Sequence, residues 1–161
     1  MRANHPDATL VFVGPEFNGY QGGLAREYQQ HRAQFPQARV VFLEKVPKKM
    51  IYAAYQTADV FILSAKAETQ PLAILDAMAA GIPFISSNAG CVREFPGGIV
   101  VRSGSDTTRA IHMLLGDAAL RGKLGAEGRA ACDAKYDWER VLDEFDGLFT
   151  RLTARTVPPG L

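Results

Sequence analysis

Two acids stand out by position, Glu68 and Asp76. From Thr69 to Val92 the single charged side chain is Asp76, with Glu68 just before that stretch and Arg93 just after it. Burying an unpaired carboxylate is costly, so an isolated acid in such apolar surroundings needs a reason. Pro71 fits a first helical turn, and residues 71–80 read as a helix closed by Gly81. Leu72, Ile74, Leu75, Met78 and Ala79 form its broad apolar side. Ala73, Ala77 and Ala80 lie three or four residues from Asp76 and share its face, which is small enough for close approach. The helix start, preceded by Thr69 and Gln70, presents free N–H groups of the kind that attract phosphate. Glu68 stands where a polar ligand would meet that end. A loop acid and a helix acid are ordinarily just solvated. Here the spacing, the alanine face, the proline and the position after a strand agree on a ligand site.

Those residues need elements to position them. Apolar, β-rich runs at 9–13, 38–43, 59–63, 82–86 and 98–101 read as strands. Helix-period runs cover 22–34, ended by Phe35-Pro36, then 48–55, 71–80, 107–115, 118–134 and 138–152. Near-continuous apolar strands separated by helices mark a parallel sheet covered on both faces. The fold class is α/β, a doubly wound Rossmann-like sheet in three layers. One domain spans 5–152, and the tail 153–161 reads as irregular. Ligands of such sheets bind beyond the carboxyl ends of the strands, which points to loops 14–20, 44–48, 64–71 and 87–97.

Composition narrows the function classes. The 161 residues suit one domain with one large core. Lys plus Arg is 18 against 17 for Asp plus Glu, so no global charge draws the chain to nucleic acid or an acidic membrane. Cys91 and Cys132 are too few for a disulfide framework and lack partners at metal-ligand spacing. No apolar run reaches the length of a membrane span, and the first ten residues hold no signal core. The expected location is cytoplasmic. Membrane association of a longer enzyme stays open.

At the acidic stretch the sequence resembles the C-terminal domain of the retaining glycosyltransferases of the GT-B fold, family 4, group 1. That family carries two acids separated by seven residues, followed by a run like EAMAxGxPVI and preceded by a strand like ADVFVLPS. Here ADVFILSA (58–65) precedes Glu68, and DAMAAGIPFI (76–85) begins with Asp76 in place of the second Glu. HPDATLVFVG (5–14) and VVFLEKV (40–46) are similar to the family's neighbouring strands. GCVREF (90–95) resembles a GGVREV loop, and GIVVRSGSD (98–106) resembles GLLVPPGD. LLGDAALRGKLGAEGRA (114–130) and YDWERV (136–141) resemble its later helix pair and terminal aromatic motif. Each piece is weak alone, but their order and spacing carry the likeness over about 5–152.

The resemblance implies a nucleotide-sugar donor, UDP- or GDP-linked, and transfer of a hexosyl group with retention. Asp76 would accept from the ribose hydroxyls and Glu68 would contact the transferred sugar as the catalytic residue. Thr69 and Gln70 would line the sugar site. The amides of Leu72 and Ala73 would face the donor, and the base would lie near Lys45 and Val46. The expected transition state resembles an oxocarbenium ion, with protein groups stabilising the leaving diphosphate. Double displacement by two flanking carboxylates is the rival route. No D-x-D metal motif is visible, so neither metal nor other cofactor is expected.

Three departures qualify the likeness. Asp76 is one methylene shorter than Glu. Thr69-Gln70-Pro71 replaces a frequent Gly-Phe-Gly, and Pro71 removes one N–H donor. The family's domain also opens with a strand whose loop carries an Arg and a Lys for the diphosphate, and no such strand precedes His5. The acceptor would be bound by an N-terminal domain that is absent here. Losing two cations removes charge-assisted bonds of roughly 1.5–3 kcal/mol each, so the 161 residues alone are expected to show no transferase activity.

Other polar residues read as structural. Asp59 suits a cap, and Lys66, Lys45, Lys48 and Lys49 suit a solvated face. His5, His31 and His112 have no partners at catalytic spacing, and Trp138 suits core packing. Glu94 aligns with a family acid, and a site role and a structural role weigh equally. Two rival functions remain, another sugar-nucleotide enzyme such as an epimerase and a non-catalytic nucleotide-binding or regulatory domain. A receiver-type regulator would need acids after the first strand and at the end of a central strand, where Gly14-Pro15 and Ser64-Ala65 stand instead.

Overall fold

The computed structural model describes residues 5–17, 23–34 and 36–156. Five strands alternate with helices: β1 (Thr9–Gly14), α1 (Gly23–His31), β2 (Arg39–Glu44), α2 (Lys48–Thr57), β3 (Phe61–Leu63), α3 (Leu72–Ala79), β4 (Phe84–Ser87) and β5 (Gly98–Val101). Three helices follow, α4 (Gly104–Gly116), α5 (Ala118–Lys135) and α6 (Trp138–Thr156). Short 3-10 turns lie at Arg32–Gln34 and Val92–Glu94. Every strand pairing is parallel. β1 runs beside β2 from Thr9 opposite Arg39 to Gly14 opposite Glu44, and β4 lies between β3 and β5. The sheet is in two pieces, β1-β2 and β3-β4-β5, where the sequence suggested one continuous sheet.

The core sits around β4. Successive strand side chains point to opposite faces, so Phe84 and Ile85 face different layers. Phe84 packs with Ile74 and Met78 of α3 and with Val92 and Phe95. Ile85 packs with Val101 and with Ala110 and Leu114 of α4. Phe84, Ile85 and Ser86 are all buried, as a central parallel strand covered on both faces requires. On the first face α5 approaches α3 so closely that a Cβ on Gly125 would lie 2.1 Å from the carbonyl oxygen of Gly81.

Several boundaries differ from the sequence reading for identifiable reasons. α4 begins at Gly104, three residues early, because Ser103 caps it: its Oγ accepts from the Asp106 N–H at 3.1 Å. Pro71 is not the first helical residue. It is the extended cap residue before α3, with φ −73° and ψ 105°. α6 continues through Thr156 and so takes in four residues read as tail. Residue 22, part of the loop 14–20, Phe35 and residues 157–161 lie outside the described residues.

Candidate functional site

The loop after β3 is held by the loop after β4. Cys91 N–H donates to the Thr69 carbonyl at 3.0 Å, and the Ser87 hydroxyl donates to the Ala65 carbonyl. Between them Gly90 adopts φ +57°, a left-handed conformation that favours glycine. A Cβ there would lie 2.3 Å from the Thr69 carbonyl oxygen and 2.5 Å from that of Glu68. The backbone of Glu68-Thr69 is therefore fixed by contact with a residue lacking a side chain. Glu68 is half-buried, and among the described residues its carboxylate has no ion pair or hydrogen-bond partner. Thr69 and Gln70 are exposed beside it.

This loop delivers the chain to α3, whose first turn has no side-chain cap. The Ile74 N–H donates to the Pro71 carbonyl at 3.0 Å, which leaves the Leu72 and Ala73 amides at the open end of the helix. The contrast with α4 and α5 is informative, because Ser103 and Asp117 cap those helices with their own oxygens. Leu72 is 71% exposed, so it does not belong to the apolar side of α3 as its place in the helical period suggested. It sits at the helix start, where α3 stands clear of the layer that covers Ile74 and Met78.

Asp76 lies one turn further along and is exposed. The alanine face around it differs from the sequence reading. Ala77 is fully buried against the core, and Ala73 and Ala80 are half-buried, so an approaching ligand meets Asp76 and the helix start rather than an open alanine surface. Partial desolvation raises the Asp76 carboxyl above the usual carboxylate range. Tyr55 of α2 stands near it. Its hydroxyl donates to the Ala73 carbonyl at 3.1 Å, and burial, followed by the nearby Asp76 charge, pushes its pKa to about 12. Tyr55 therefore braces the first turn of α3 as a neutral donor. Neither Tyr55 nor Gly90 was singled out from sequence. The only signal for Gly90 was its place in the GCVREF run.

Lys45 and Val46 form a second cluster, at the carboxyl ends of β1 and β2. Lys45 has φ 50°, uncommon for a residue with a side chain and found where surrounding structure enforces it. Its N–H donates to the Gly14 carbonyl at 3.2 Å, and its ammonium lies 3.9 Å from Glu16. The Phe17 N–H donates to the Glu44 carboxylate, which ties the two loops together. Val46 is half-buried just ahead of Pro47, behind which α2 begins without a side-chain cap. The predicted residues thus form two groups, Glu68–Asp76 on the β3-β4-β5 ladder and Lys45-Val46 on the β1-β2 ladder.

The remaining polar residues have structural explanations. Asp59 pairs with Arg121 at 3.6 Å. Trp138 is exposed rather than packed in the core, because α6 turns this side outward. A depression of about 620 Å3 beside β5 and α4, lined by Arg93, Arg102, Asp106 and Arg109, contains none of the predicted site residues. Among the described residues no three His, Cys, Asp or Glu side chains are grouped to hold a metal ion. No described helix is long and apolar enough to cross a membrane.

Parallel strands, flanking helices and a polar site at the strand carboxyl ends define a Rossmann-like α/β domain. The chain belongs to the glycosyl transferases group 1 family, whose model matches residues 1–117. It is 28% identical over 159 residues to spore coat protein SA of Bacillus subtilis, a match covering 91% of this chain and 41% of that protein. It is 30% identical over 150 residues to a GDP-mannose-dependent monoacylated alpha-(1-6)-phosphatidylinositol monomannoside mannosyltransferase of Corynebacterium glutamicum, covering 85% and 37%. The fold is similar to that of sucrose-phosphate synthase from Thermosynechococcus elongatus, with TM-score 0.78 and 24% identity over 92% of this chain and 39% of that one. It is also similar to Anabaena HepE in complex with UDP-glucose, with TM-score 0.74 and 16% identity over 91% and 42%. The chain spans about two fifths of the length of these proteins.

Proposed function

We propose that this domain binds the nucleotide-sugar donor of a retaining glycosyltransferase and presents a hexosyl group to an acceptor held by a further domain. The observation that carries this reading is the clasp at Gly90, which fixes Glu68-Thr69 beside the uncapped start of α3. The Leu72 and Ala73 amides face the diphosphate, where the helix end favours negative charge. Glu68 lies by the sugar with its carboxylate uncommitted to any described protein partner. Asp76 accepts from the ribose hydroxyls, and Lys45 and Val46 lie toward the base. As the glycosidic bond breaks, charge builds on the leaving diphosphate, and preorganised amides stabilise it without reorganisation. The relative that depends on GDP-mannose and the neighbour holding UDP-glucose support a nucleotide-diphosphate sugar as the donor class.

Titration of the chain with UDP-glucose and GDP-mannose, followed by amide NMR, tests this. At least one donor should shift the Glu68, Leu72, Ala73 and Asp76 resonances. Asp76→Asn should weaken that binding by about 10- to 100-fold, the range for a hydrogen bond to a charged group. Unchanged affinity in Asp76→Asn, or shifts confined to residues elsewhere, would sink the assignment.

A further inference from the structure

We propose that the open edge of β5 is a docking groove for an extended acidic peptide of a partner protein, which adds to the sheet as a strand. β5 pairs with β4 on one side and with no described strand on the other. The Phe84 N–H donates to the Gly97 carbonyl at 3.3 Å. Backbone groups alternate sides along a parallel strand, so Ile99 and Val101 also turn theirs toward β4. Gly98 and Val100 therefore aim theirs outward. Unpaired backbone donors and acceptors at an edge template another chain. None of the proposed donor residues lines this edge, so the two sites can be tested separately.

The depression of about 620 Å3 beside β5 and α4 follows that edge. Four consecutive residues, Ile99 to Arg102, line it. Successive strand side chains point to opposite faces, so a hollow on one face would meet only every second residue. Val100 packs against the core around Phe84, whereas Ile99 and Val101 belong with the core around Ile85. The hollow therefore straddles both faces and meets the strand edge-on. One wall is the turn at Val92–Glu94, anchored in the first core by Val92, and it contributes Arg93. The other wall is α4, anchored in the second core by Ala110, and it contributes Arg109 and Met113. Arg102 stands at the carboxyl end of the strand. Cations thus flank the edge on both sides.

The chemistry of the occupant follows. Against three arginines the lining holds one acid, Asp106, which lies 3.6 Å from Arg109. No described acid is within ion-pair distance of Arg93 or Arg102. The Arg93 Nε donates to the Asn88 side-chain oxygen, which fixes that cation on its wall. The Arg109 side chain is 78% exposed and so free to meet a partner. A lone anion or a lipid headgroup would answer the charge but leave the outward backbone groups unpaired, whereas an added strand answers both. Because arginine stands on both walls, that strand carries acids at odd and even positions and no internal proline. A second copy of this chain is a poor occupant, since pairing two β5 edges would bring the arginine walls of both copies together. Charged side chains also blunt an edge against indiscriminate pairing. Here the same charges repel basic segments and admit acidic ones.

Fluorescence anisotropy with the full chain tests this. The probe is a fluorescein-labelled peptide, Ser-Glu-Val-Glu-Glu-Val-Glu-Ser, with acids at both parities. In one control proline replaces both valines, which keeps the charge but removes strand donors. In the other lysine replaces every glutamate. The probe should bind at least about tenfold more tightly than either control. Arg93→Gln, Arg102→Gln and Arg109→Gln together should weaken it by about tenfold, the scale of three exposed ion pairs. Bound probe should slow amide exchange at Gly98 and Val100 by at least about tenfold and leave Ile99 and Val101, already turned to β4, unchanged. The exchange readout uses the parent chain, so it holds even where the triple variant is less stable. Equal binding of the proline control would mean charge attraction without strand addition, and would overturn the proposal. No binding of the probe would mean that the arginines only guard the edge, and would overturn it too. Protection confined to residues away from β5, or binding of phosphatidylserine vesicles in place of the peptide, would do the same.

Discussion

Asp76 and Tyr55 share one electrostatic neighbourhood, and the Asp76 charge adds to burial in raising the cost of ionising Tyr55. Tyr55 holds its proton to about pH 12 through burial and the Asp76 charge. In the unfolded chain a tyrosine ionises near pH 10. Between about pH 10 and 12 the folded state therefore binds more protons than the unfolded state, and stability falls as pH rises. Below that window the Tyr55 contribution is fully present. Tyr55→Phe should flatten this alkaline decline, read from urea midpoints across pH. It should also cost about 0.5–1.5 kcal/mol near neutrality for the lost bond to the Ala73 carbonyl. An alkaline decline as steep as in the parent would remove Tyr55 as its source. The Asp76 carboxyl is also raised, by desolvation. The folded state again holds the proton more tightly, so stability increases as pH falls through the carboxylate range. Asp76→Asn should abolish that increase while weakening donor binding, which separates a binding acid from a structural one. Glu68 and Asp76 were legible in the sequence because charge is conspicuous in an apolar run. The exposure of Leu72 was not, because helical period assigns a face but cannot say where the covering layer stops.

At the scale of elements, the strands and helices were legible from alternating periodicities, with boundary shifts where caps such as Ser103 decide the start. The contacts that fix the site were not, since they depend on backbone segments far apart in sequence. Gly90 is one such contact. Gly90→Ala would force a Cβ against the Glu68 and Thr69 carbonyls and strain a backbone with φ +57°, at an expected cost of about 1–3 kcal/mol. The loop would be displaced, and donor affinity should fall with stability. If stability falls and affinity is retained, the clasp does not shape the site. Gly125 is another. Alanine is the better helix former by about 1 kcal/mol, so propensity alone predicts that Gly125→Ala stabilises α5. The Gly81 carbonyl at 2.1 Å from the added Cβ opposes this, and parting α3 from α5 should cost about 1–3 kcal/mol, more than the helix gains. Chemical denaturation decides between the two signs. A stabilised variant would mean that α5 can shift away from α3 freely.

At the scale of the whole molecule, the same residue type has opposite weights depending on where the fold places it. Phe84 is fully buried between α3 and the turn at Val92–Glu94, with Gly98 so close that a Cβ there would touch its ring at 2.3 Å. Phe145 and Phe149 stack on each other along α6 and are 53% and 58% exposed. The side-chain bonds of this helix are largely local, such as Arg140 to Glu144 at 3.1 Å, so its outward stripe contributes little to the core. Phe84→Ala should cost about 3–5 kcal/mol, because the ring leaves a cavity that close-packed neighbours cannot fill. The double variant Phe145→Ser with Phe149→Ser should stay within about 0.5 kcal/mol of the parent, as surface substitutions do. Urea denaturation of the two variants beside the parent measures both effects. A loss of several kcal/mol from the α6 variant would show that its apolar stripe is covered in solution. The burial asymmetry would then belong to the isolated chain and not to the molecule at working concentration.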